Sequence, residues 1–286
     1  MIFDPLVRGL QRWLTKEVSQ PAHHKLSNFE RLRHEIKPGD VVLVEGTTRV
    51  ADVIRQLTQS RWSHAALYIG RLHDIEDPLA RQRIKQFYDG QPNTQLIIES
   101  ELGMGTLVRP LHVYRQKHLR LCRPRELSYP DSQQLLVQAI NHLGIAYDVR
   151  QILDLARFYM PWGVLPRRWA SSLFNWQPGG HTKIVCSTMI AESFAAIQFP
   201  VLPLVKRVDN GQVRLFQRNP KLCVPADFDL SPYFDVIKYP FMDFDDRGDS
   251  RYRLLPWQGD IRLNANETGV WIESEPESKE APEQQD

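Results

Sequence analysis

KIVCSTMIAESF, Lys183 to Phe194, is the stretch on which the reading of this chain turns. Met189, Ile190, Phe194 and Ile197 recur at helical spacing, and Pro200 and Pro203 close the segment. That pattern predicts a helix with Cys186 in or beside its first turn. Free backbone N–H groups and the positive end of the helix dipole favour a thiolate there. The competing reading is that Cys186 is simply a small buried apolar residue. The choice depends on what else the chain can bring to the sulfur.

The chain has 286 residues, 42% hydrophobic and 10% aromatic, which suits one large domain with extensions. Its 36 basic and 34 acidic residues leave a net charge of +2, which argues against a nucleic-acid binder. No apolar run reaches the roughly eighteen residues of a spanning helix. The N-terminal MIFDPLVRGLQRWLTKE is interrupted by Asp4, Arg8, Arg12 and Lys16, so it lacks the apolar core of a signal peptide. Cys122, Cys186 and Cys223 form an odd, widely spaced set without C-x-x-C. This fits a reduced compartment better than a disulfide framework or zinc site, so the cytoplasm is the expected location.

Residues 1–36 read as an amphipathic N-terminal helix, running to residue 19, with a linker. Asp4 can cap it, Pro5 suits its first position, and Phe3, Leu6, Val7, Leu10, Trp13 and Leu14 share a face. That helix can dock on its own domain. Alternatively, residues 2–16 can make peripheral contact with an anionic inner membrane face. Residues 37–240 form the expected main domain. KPGDVVLVEG (Lys37–Gly46) reads as a turn and a buried strand, and TRVADVIRQLTQS (Thr48–Ser60) as a helix. HAALYIG (His64–Gly70), TQLIIES (Thr94–Ser100) and LRLCRP (Leu119–Pro124) read as strands. SYPDSQQLLVQAINHLG reads as a helix starting near Asp131 and stopping at Gly144, and residues 225–239 as a loop and a last strand. Residues 145–182 are an aromatic-rich insertion or lid, 241–263 a C-terminal extension, and 264–286 an acidic, core-less tail expected to be disordered. Strands clustered between helices without regular alternation indicate an α+β fold.

A cysteine nucleophile needs a base within hydrogen-bond reach and a third group to orient that base. His23, His24, His34, His73, His112 and His118 stand in polar stretches and read as solvated. His142 lies near a helix C-terminus, where a cation is favourable, and His181 follows a Gly pair. His64 differs, because it opens the apolar run AALYIG, where a rigid strand would hold its ring. The bland reading is a core-edge histidine satisfied by backbone. Glu99 follows Ile97 on the same side of its strand, and an acid on a buried face needs a partner. Otherwise the strand ends at Ile98 and Glu99 is exposed, like Glu101.

Three blocks together resemble the circularly permuted NlpC/P60 cysteine hydrolases of the YiiX/YebB-like group: GDVVLVEG…IRQLTQSRWSHAALYIG, IIESELGMG…RPL, and IVCSTMIAESF with PADFDLSPYF downstream. The blocks span roughly residues 38–239 and stand in the group's order, with the His strand first and the Cys helix last. The resemblance implies a permuted papain-like fold, mainly antiparallel sheet packed against the nucleophile-bearing helix. It places the nucleophile at Cys186, the base at His64 and the orienting acid at Glu99. Many members carry Cys-Ser-Glu at the nucleophile, whereas this chain has Cys186-Ser187-Thr188.

The chemistry so implied is cleavage of an amide or ester through a thioester, without metal or organic cofactor. Backbone N–H groups of Cys186 or Ser187 would serve the oxyanion. Tyr147, with Trp62 and Tyr68, is the expected substrate contact. The aromatic and arginine-rich stretch Gly144–Gly180 suggests a lipid-linked or hydrophobic acyl substrate. A peptidoglycan stem peptide is the alternative substrate, and a non-catalytic membrane-associated adaptor the alternative of another class. Oligomeric state is not readable from the sequence.

Overall fold

Short apolar runs bounded by turn residues build the centre of the molecule. The computed structural model describes residues 15–17, 27–102, 104–145, 186–207 and 212–239. The chain divides into two units, Met1–Met242 and Asp243–Asp286, and the described residues all belong to the first. Among them, six strands form one antiparallel sheet in the order β4-β3-β2-β1-β5-β8. These are β1 (Val41–Val44), β2 (His64–Gly70), β3 (Leu96–Glu101), β4 (Gly105–Pro110), β5 (Leu119–Pro124) and β8 (Phe234–Ile237). A separate hairpin joins β6 (Leu204–Arg207) to β7 (Val213–Phe216). The α+β fold with a mainly antiparallel sheet is the one expected.

Strand β1 reads VVLV with no polar residue and is buried throughout, because both faces of the sheet are covered. On one face, Leu43, Ala65, Leu67 and Ile98 pack beneath three helices: α3 (Pro78–Phe87), α4 (Tyr129–Asn141) and α5 (Cys186–Ala196). On the other, Val42, Ala66, Tyr68 and Ile97 meet α1 (Phe29–Glu35) and Tyr114. Helix α5 is buried almost all round, as its composition requires: only Glu192, Ala195 and Ala196 reach solvent. Phe194 anchors it through ring contacts with Phe199 at 5.1 Å and Phe234 at 5.3 Å. The buried Ser193 hydroxyl is satisfied by donating to the Met189 carbonyl at 2.9 Å.

Helices α2 (Arg49–Thr58) and α4 take their caps from Thr48 and Ser128, whose hydroxyls accept the N–H of Ala51 and Asp131. Pro130 in the first turn lets α4 begin at Tyr129, slightly before the expected start near Asp131. Strand β4 was not legible in the sequence. Gly105, at φ +83°, closes the short turn from β3, and the two strands then pair from Glu101↔Gly105 to Leu96↔Pro110. The region 225–239 holds a short helix, α6 (Pro225–Leu230), where a loop was expected, before β8. Residues 15–17 form a turn and a bridge from Glu17 to Thr48, so the helix expected over 1–19 does not run through them. The rest of that helix lies outside the described residues. So do nearly all of 145–182, and 241–263 and 264–286 in full.

Candidate active site

The site forms where the sheet parts. Tyr68 N–H donates to Asp40 O at 2.9 Å, so the even-numbered residues of β2 direct their N–H groups at β1. The odd-numbered ones point the other way, towards β3. The β2–β3 ladder pairs Gly70, Tyr68 and Leu67 and goes no further, while β3 continues along β4. The N–H of Ala65 therefore has no strand partner. The start of α5, which packs against β2 and β3, meets that gap, and Ala65 N–H donates to the sulfur of Cys186. The Ser187 N–H, in the first turn of α5, donates to the same sulfur.

His64, in step with Ala66 and Tyr68, and Glu99, in step with Ile97, lie on the sheet's second face and reach the gap from there. Glu99 Oε2 stands 2.5 Å from His64 Nε2, which leaves Nδ1 for the thiol of Cys186, in hydrogen-bond and charge contact with the ring. The carboxylate is only 3% exposed, so the reading of Glu99 as a solvated strand end does not hold. It is held in turn by two residues that sequence reasoning missed. The Tyr114 hydroxyl donates to Oε2, and Arg109 places Nε 3.4 Å from Oε1 while also pairing with Glu101. Arg109 sits diagonally from Glu99 across the β3–β4 ladder, a relation visible only once β4 is known.

These contacts set the protonation. Burial disfavours an imidazolium at His64, but the Cys186 thiolate and the Glu99 carboxylate outweigh it and hold its pKa well above the ordinary histidine value. Burial likewise opposes the thiolate. The His64 charge and the N–H groups of Ala65 and Ser187 nevertheless bring the Cys186 pKa below that of an ordinary thiol. Glu99 is pushed up by burial and pulled down further by His64, Tyr114 and Arg109. Burial and the Glu99 charge keep Tyr114 protonated, its pKa well above the usual phenol value. The arrangement pairs a buried thiol of lowered pKa with an imidazole of raised pKa, braced by a carboxylate.

Trp62 and Tyr68, the other described candidates, make contacts of their own. Trp62 is buried in the core, its indole N–H donating to Asp229 Oδ2 at 3.2 Å and its ring beneath Arg120 at 4.8 Å. Tyr68 belongs to the apolar cluster on the second face. Its hydroxyl accepts from Gln95 and lines a polar cavity of about 750 Å³ at the far end of β2. Tyr147 lies outside the described residues. His142 caps α4, but burial lowers its pKa and its Nδ1 has no partner among the described residues, so the stabilising cation expected there is corrected. His118 is half-buried rather than fully solvated: its Nδ1 lies 2.8 Å from the Ser27 hydroxyl and its ring 5.4 Å from Trp62.

Residues 35–159 match the model of a family described as permuted papain-like amidase enzyme, YaeF/YiiX, C92 family. The matched segment contains His64, Glu99, Arg109 and Tyr114 and ends before Cys186. The crystal structure of metalloprotein yiiX from Escherichia coli O157:H7 (DUF1105) superposes at a TM-score of 0.44 with 12% identity, over 71% of this chain and 97% of that one. Comparison with curated proteins gives no significant match. Among the described residues, no helix is long and apolar enough to cross a membrane.

Proposed function

We propose that this chain, whose residues 35–159 match the model of the permuted papain-like amidases, is a cysteine hydrolase and that Cys186, His64 and Glu99 carry its reaction. The observation that supports this is the contact of Cys186 with the imidazole whose Nε2 bonds Glu99. The Cys186 thiolate attacks an amide carbonyl, and the electron pair displaced onto oxygen is met by the backbone N–H of Cys186 at the start of α5. His64 passes its proton to the leaving amine as the tetrahedral adduct collapses to a thioester. It then takes a proton from water, whose oxygen attacks the thioester and releases the acid. Glu99 keeps the ring oriented through both steps, with Tyr114 and Arg109 as positioning residues behind it.

The substrate in this reading is an amide or ester of a hydrophobic, lipid-linked acyl group. The aromatic stretch between Gly144 and Gly180, just before the nucleophile, supports it. The test offers purified protein a detergent-dispersed long-chain N-acyl amide and a set of short peptide amides, with Cys186→Ala as control. Turnover of the acyl amide that vanishes in the control is expected. Cleavage of peptide amides alone would overturn the substrate, and equal rates in the control would overturn the nucleophile.

A further inference from the structure

Among the described residues, the hairpin β6–β7 stands apart from the rest of the fold. Every residue of both strands is exposed. Leu204, Val205, Val213, Leu215 and Phe216 are 45–64% exposed, although a chain of this size has core to bury them in. An isolated two-stranded ribbon is marginally stable, and such a surface on a free sheet edge invites a partner. The apolar side chains have open space beneath them too: a cavity of about 320 Å³ lies between Leu215 and Phe216 and the segment after α5, at Phe199 and Val201.

Charge narrows the partner. The eight strand residues include Lys206, Arg207 and Arg214 and no acid. Lys206 and Arg214 stand directly opposite one another in the ladder, a like-charge pair that destabilises the hairpin on its own. Among the described residues, none of the three has an acidic partner, whereas the neighbouring Arg218 is taken by Asp227 at 3.2 Å. A second copy of this hairpin would bring cations against cations. A surface that offers both apolar depth and negative charge relieves the exposure and the repulsion together. We propose that β6–β7 is a docking hairpin for an anionic lipid surface, with its apolar residues entering the interface and its three cations meeting headgroup phosphates.

Docking here is separate from the reaction at Cys186 and is measured without turnover. Full-length protein is floated with vesicles of phosphatidylcholine alone and of phosphatidylcholine with phosphatidylglycerol, at low and high salt. Binding is expected only with phosphatidylglycerol, and it weakens as salt rises. Each cation neutralised near such a surface lowers affinity about fivefold, so the double variant Lys206→Gln/Arg214→Gln should bind about thirtyfold more weakly. Leu215→Ser should weaken binding as well, while the rate of thiol labelling at Cys186 stays that of the wild type in every hairpin variant. Unchanged binding in these variants, with loss instead in Leu10→Glu, would assign the contact to the N-terminal segment and overturn the proposal. So would a concentration-dependent dimer that the hairpin variants abolish without any lipid binding, or no binding to either vesicle.

Discussion

Cys186 and Cys223 lie at the same end of α5, close enough that the Ser187 hydroxyl donates to the Cys223 carbonyl at 2.6 Å. They are 2% and 5% exposed, so desolvation presses on both thiols alike. Their titration nevertheless runs in opposite directions. Cys186 faces the His64 imidazolium and two N–H donors, and its pKa falls. Cys223 is pushed well above an ordinary thiol by burial first and then by the Asp227 carboxylate, which leaves it a neutral core residue. Cys122, buried in β5, is also raised by burial. Burial therefore does not distinguish a nucleophile from a packing residue. The charge of the neighbours does.

The largest expected effect comes from removing the neighbour that makes the difference. In His64→Ala, the desolvation at Cys186 is no longer opposed by a cation, so its pKa rises past the ordinary thiol value. Each unit of rise cuts the thiolate fraction about tenfold at neutral pH. Iodoacetamide labelling at pH 7 should fall at least a hundredfold, measured by mass spectrometry of the Cys186 peptide. In the wild type, labelling should persist below the ordinary thiol range, because the Cys186 pKa is depressed. Hydrolysis should fail on the acid side as the thiolate is protonated, and on the alkaline side only as pH passes the raised His64 value. Wild-type labelling that rises only near the ordinary thiol pKa would make Cys186 and Cys223 alike and break the comparison.

Glu99→Gln keeps a polar group in place but removes a charge that raises the His64 pKa. Amide turnover is expected to drop about a hundredfold, with the alkaline limb moved to lower pH. Tyr114→Phe deletes a hydrogen bond to that buried carboxylate. It should lower unfolding free energy by about 1.5–3 kcal/mol in urea titrations. It should also raise the Glu99 pKa and slow turnover about tenfold, a change in the pH profile that loss of packing would not cause. The smallest effect sharpens the other half of the pair. Cys223→Ala should leave Cys186 labelling within about twofold of wild type and cost about 1 kcal/mol of stability as a lost buried contact.

Much of the candidate site was legible because its signals are local. The apolar run after Cys186 marks a helix start, and the alternation through Ile97 and Glu99 puts an acid on a buried face whatever the rest of the chain does. His64 stands out by opening an apolar strand. Trp62 and Tyr68 flank His64 in sequence, yet the structure turns one into the core and carries the other to the far end of β2. Nearness along the chain does not set nearness in space, because four residues of strand advance about 13 Å and alternate sides select the face.

By itself, then, the order of amino acids determined the helix at Cys186, the strands at His64 and Leu96, and the α+β class, since periods of 3.6 and 2 are properties of short segments. Only the tertiary structure decided what meets at the sulfur. The Ala65 N–H is left to the Cys186 sulfur because the β2–β3 ladder stops at Leu67, which depends on the register of two strands more than twenty residues apart. Tyr114 and Arg109 reach Glu99 because β4, legible only once paired, brings them back across β3. The charge state of Cys186 is set by these distant contacts, because the electrostatic balance at a buried group depends on which groups surround it in space.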